Sequence, residues 1–93
     1  MPHITLDYAP RLAQLIDMQG LCDHIRRAAI DTGILPMAGV RVRACAADYI
    51  SIADGNPDHM YLDISVRLRG GRPLEARKAA TQQIFDAARA FLA

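Results

Sequence analysis

The stretch from His59 to Arg69 most narrows what this chain can fold into. Met60, Leu62, Ile64, Val66 and Leu68 alternate with Tyr61, Asp63, Ser65, Arg67 and Arg69. Successive side chains of a strand point to opposite faces, so this is a strand with one apolar and one polar face. Such a strand belongs in a sheet covered on one side only. Gly70-Gly71 ends it. With 93 residues there is room for one domain, residues 1–93, and one core. The cover must therefore come from nearby helices.

Two helices are predicted. Asp17 to Thr32 places Leu21, Ile25, Ala28 and Ala29 on one stripe. Gly33 follows as a left-handed cap, and Pro36 blocks continuation. Pro73 to Leu92 begins with Pro73 at the first helical position. Its stripe is read as Leu74, Arg77, Thr81, Ile84, Ala88, Phe91 and Leu92, with Phe85 beside it. Two further strands are read, Pro2 to Tyr8 and a long Val40 to Ile52. Arg11 to Ile16 is a short helical turn or a loop. The turn residues Asp54 to Asp58 suggest that the second and third strands pair as an antiparallel hairpin. The helix between the first two strands suggests a parallel crossover. The fold class is thus α/β (α+β): a two-layer sandwich, a mixed sheet with both helices on one face. The opposite face, with Arg41, Arg43, Tyr61, Asp63, Ser65, Arg67 and Arg69, faces solvent or partner subunits.

Composition removes several function classes. Eleven basic residues face ten acidic ones, which gives no basic footprint for nucleic acid. No apolar run is long enough to span a membrane. No signal peptide is visible at Met1-Pro2-His3. Cys22 and Cys45 fit no metal or redox spacing, and reduced thiols in the cytoplasm are the simplest expectation. Both are read as packed side chains. His3, His24 and His59 are scattered, and no phosphate loop, dinucleotide fingerprint or nucleophile elbow occurs. Arginine outnumbers lysine ten to one. Its planar fork suits carboxylates.

The N-terminus is the remaining candidate. Removal of Met1 would leave Pro2 with a secondary amine. An α-amino group titrates near ~8, and desolvation or nearby cations lower it further. Such an amine can shuttle a proton near neutral pH.

Several segments resemble one known family. They are Pro2-His3-Ile4, Thr32-Gly33-Ile34-Leu35-Pro36-Met37-Ala38-Gly39-Val40-Arg41-Val42-Arg43, Ala53-Asp54-Gly55, and Gly71-Arg72-Pro73-Leu74-Glu75-Ala76-Arg77. Their order and spacing are similar to the 5-carboxymethyl-2-hydroxymuconate isomerases, within the tautomerase superfamily. The resemblance implies a homotrimer with sheets packed inward. It implies a cofactor-free keto-enol isomerase of aromatic (homoprotocatechuate) catabolism, acting on a dienol with several carboxylates. Pro2 would be the proton shuttle, and Arg41 and Arg72 would bind substrate. Arg43 would serve the site or a salt bridge between subunits. The alternatives are a tautomerase for another 2-hydroxymuconate or an arylpyruvate enol, and a non-catalytic trimeric carboxylate-binding module. Leu35 stands where the family would place Phe.

Overall fold

The structure is a computed structural model that describes residues 2–68 and 70–93. Its elements are strand β1 (His3–Tyr8), short helix α1 (Leu12–Leu15), helix α2 (Met18–Asp31), strands β2 (Arg41–Ala46) and β3 (Leu62–Arg67), and helix α3 (Leu74–Leu92). A single 3₁₀ turn, Met37–Gly39, leads into β2. The ambiguous segment after Pro10 is thus helical over one turn.

Helix α2 starts where the Asp17 carboxylate accepts a hydrogen bond from the Gly20 N–H at 3.0 Å. It ends where the Thr32 hydroxyl donates to the Ala29 carbonyl at 2.7 Å and Gly33 turns left-handed at φ 77°. Pro73 sits at the N-cap of α3, one residue outside the expected first helical position. Helix α3 buries only part of the expected stripe. Ala80, Ile84 and Ala88 are buried, whereas Leu74, Thr81, Phe85 and Leu92 are exposed. Small residues let α3 approach α2 closely. At Gly20 of α2, an added Cβ would lie 2.9 Å from the Asp17 Cγ and 3.3 Å from the Phe91 ring of α3.

The sheet order is β2-β1-β3. Strand β1 pairs in parallel with β2, as the crossover required, and antiparallel with β3. The expected β2–β3 hairpin does not form. Strand β2 stops at Ala46 because its partner stops: the last bond runs from the Ala47 N–H to the Tyr8 carbonyl, and Pro10 has no N–H to extend the ladder. The chain then loops beyond the end of β1 and returns on its other side, where the Ala9 N–H donates to the Tyr61 carbonyl. The turn chemistry of residues 54–59 lies within that loop. Asp54 accepts from the Asn56 N–H and meets His59 Nε2 at 2.7 Å. The backbone bond, then the histidine, holds the Asp54 carboxyl below its ordinary range. Strand β3 is correspondingly shorter than the alternation, and Arg69 lies outside the described residues.

Register then sorts the side chains. Ile4, Leu6, Val42, Ala44, Ile64 and Val66 share the face under the helices, with Leu21, Ile25, Ala29, Ile84 and Ala88 packed on it. Cys22 is half-buried, and its burial raises the thiol pKa. Cys45 was expected to be packed but is exposed, because its position on β2 faces away from the helices. No helix is long and apolar enough to cross a membrane among the described residues.

Gly20→Ala tests the α2–α3 contact. Alanine favours an isolated helix by ~1 kcal/mol. Here the added methyl meets both the Asp17 cap and Phe91. The expected result is a lower Tm and a net loss of about 1 kcal/mol. A raised Tm would show that neither group resists.

Candidate active site

Topology brings the candidate residues to one end of the sheet. Strands β1 and β2 are parallel, so both begin there; β3 is antiparallel, so it ends there. The Arg41 N–H donates to the Pro2 carbonyl at 3.1 Å. The Arg72 Nε–H donates to the Ile34 carbonyl at 3.0 Å, across 38 positions of sequence. That bond ties the segment before α3 to the segment before β2. Pro2 and Arg41 are thus joined at this end through their backbones, and Arg72 is tied to the segment that leads into β2.

Each is held differently. The Pro2 ring is fully buried, on the helix-facing side that Ile4 shares by strand alternation. Arg41 is exposed on the open face, and its guanidinium donates from one nitrogen to the Ala38 carbonyl at 2.8 Å and the Val40 carbonyl at 3.4 Å. Those carbonyls belong to the 3₁₀ turn and its cap, which follow Pro36. The turn thus orients the arginine through its own backbone. A guanidinium has five N–H donors, so one nitrogen engaged in this way leaves a fork for a carboxylate. Arg72 is half-buried just ahead of α3, whose first turn has unsatisfied N–H groups. Gly71, at φ 104°, makes the bend that presents it.

Arg43 is on the same strand face as Arg41, one pleat repeat further along β2. Because β2 is an edge strand, Arg43 also borders a shallow cleft lined by Tyr8, Met18, Gln19 and Cys22. It pairs with Thr5, one step along the face from the Arg41–His3 pair.

The open face carries a gradient of charge. One cross-strand row is Arg41, His3 and Arg67; the next is Arg43, Thr5 and Ser65; the third is Cys45, Asp7 and Asp63. At the acidic end the Tyr61 hydroxyl donates to Asp7 at 2.8 Å. That bond is the main reason the Tyr61 pKa is raised, since the carboxylate opposes a phenolate. The Arg41–His3–Arg67 row was missed at the level of sequence. The polar face was legible, but the row exists only because β3 pairs with β1.

Comparison with known proteins decides the family. Residues 2–93 match the family model for 5-carboxymethyl-2-hydroxymuconate isomerase. The chain belongs to the 5-carboxymethyl-2-hydroxymuconate isomerase family. It is accordingly an isomerase. It is 30% identical over 86 residues to the Escherichia coli 5-carboxymethyl-2-hydroxymuconate Delta-isomerase, covering 92% of this chain and 68% of that protein. A crystal structure of a 5-carboxymethyl-2-hydroxymuconate delta-isomerase superposes with a TM-score of 0.94 at 28% identity, over 99% of this chain and 71% of the other. The isomerase structure from Deinococcus radiodurans R1 gives 0.83 at 24% identity, over 92% and 65%, and shares the fold.

Arg72→Ala tests the tie between the two segments. Loss of the bond to Ile34 should cost about 0.5–1.5 kcal/mol. Amide exchange should quicken in peptides from residues 32–41, with the C-terminal half of α3 unchanged. Unaltered exchange in 32–41 would mean that the tie does not hold this segment.

Proposed function

We propose that this isomerase ketonises 5-carboxymethyl-2-hydroxymuconate, or a close tautomerase substrate, with the N-terminal proline amine as its proton shuttle. The observation that supports this reading is the bond from Arg41 to Pro2 at one sheet end, with Arg72 tied to the segment that leads into β2, in a member of this family. Removal of Met1 converts the Pro2 nitrogen from an amide to a basic amine. Burial of the ring disfavours its ammonium form. The free amine then accepts the proton of the dienol hydroxyl. The O–H bond breaks, the ketone C=O forms, the double bonds shift, and the same proton is delivered to carbon. No electrons are gained or lost, so the reaction asks for no cofactor. Arg41 and Arg72 bind carboxylates and stabilise charge on the developing enolate oxygen. Arg43 assists from the same strand face or pairs across a subunit boundary.

The assembly belonging to this reading is a cytoplasmic homotrimer whose open sheet faces pack inward. The separation of Arg41, Arg43 and Arg67 from Asp7 and Asp63 on that face supports it, because opposite ends of two copies are complementary.

Ultraviolet-monitored ketonisation by protein lacking Met1 tests the chemistry. Pro2→Ala should reduce kcat by about 10²-fold or more, and protein that retains Met1 should be inactive. The wild-type kcat/KM should fall as pH drops through the amine pKa, at or below about 8. Normal turnover by Pro2→Ala would remove the proline from the mechanism.

A further inference from the structure

Beyond its place in the charge pattern of the open face, Arg67 has no role in the site as described so far. It is the last residue of β3 and pairs with His3, which pairs in turn with Arg41. Residues in register share a face, so all three side chains rise from the open side at the Pro2 end. With strands about 4.8 Å apart, the Arg41 and Arg67 backbones are roughly 10 Å apart across His3. The long side chains at the two sides of this gap can grip separate carboxylates of one small molecule.

Within one copy of the chain the charge of these arginines is uncompensated. Arg67 is exposed, and among the described residues neither it nor Arg43 nor Arg41 forms an ion pair. The acidic residues of this face, Asp7 and Asp63, lie four positions along their strands, about 13 Å away. Like charges gathered at one sheet end oppose folding. A bound polyanion would relieve that repulsion.

The proposed substrate has such a charge pattern. A hydroxymuconate has a carboxylate at each end of its chain, and the carboxymethyl branch adds a third. Arg41 and Arg72 account for two. We propose that Arg67 binds the third carboxylate, that of the branch, and thereby selects the branched tricarboxylate over 2-hydroxymuconate. This role rests on the isomerase reading. Arg67 is a specificity residue under it, with Pro2 still moving the proton.

The test compares wild type, Arg67→Gln and Arg67→Lys on 5-carboxymethyl-2-hydroxymuconate and on 2-hydroxymuconate, which has no branch. Arg67→Gln should lose on the order of ten- to a hundredfold in kcat/KM on the branched substrate, chiefly through KM. Its loss on 2-hydroxymuconate should be smaller by about tenfold. Arg67→Lys keeps the charge but not the fork, and it should recover part of the selectivity. It also keeps the test readable if the glutamine variant folds poorly. Equal losses on the two substrates, or no loss on either, would overturn the role of Arg67 and leave the isomerase reading standing. A wild-type protein that turns over neither substrate would overturn that reading, and this assignment with it.

Discussion

Strand β1 is the constraint on which the rest depends. Both other strands pair with it, and its Ile4 and Leu6 are fully buried under the helices. A strand so placed has its backbone satisfied on both edges and one face dry. Its length then limits its neighbours. Strand β2 can run alongside only to Tyr8, and β3 can begin only where the returning loop regains Ala9. Parallel pairing with β2 also sets the direction of everything at the Pro2 end, because it makes two strands start side by side.

Much of the architecture was legible in the residues. The α2 stripe, its cap and its stop are local signals, and the structure carries all of them. The alternation in β3 correctly predicted a sheet with one covered face. Strand pairing was not legible. Asp54 to Asp58 has the composition of a hairpin turn, and its Asx bonds form, yet it lies within a long loop. Local turn chemistry says that the chain bends there. It does not say which strand edge the chain reaches next. The α3 stripe was legible in part. Ile84 and Ala88 were read on the stripe and are buried, but Leu74 and Leu92, also read on it, are exposed, and the small Ala80 is buried instead.

The candidate site shows the same division. Pro2, Arg41, Arg43 and Arg72 were visible through motif resemblance, since each lies within a recognisable run. Arg67 carried no motif. Its significance follows from facing His3 across β1 and β3, a relation stated nowhere in the local sequence. Cys45 was misjudged on similar grounds. Its face on an edge strand is set by register, and register leaves it exposed.

The bond between Arg72 and the Ile34 carbonyl joins positions 38 apart, while Pro2 is reached from the other end of the chain. No contiguous segment of the sequence contains this cluster. Closing loops of that size costs entropy that only the completed sheet and both helices repay. The cluster therefore exists only in the closed topology, since a partial opening that frees α3 from α2, or β2 from β1, separates its members. Catalytic competence in such a molecule reports closure of the whole topology, well before any loss of secondary structure would reveal that the fold has opened.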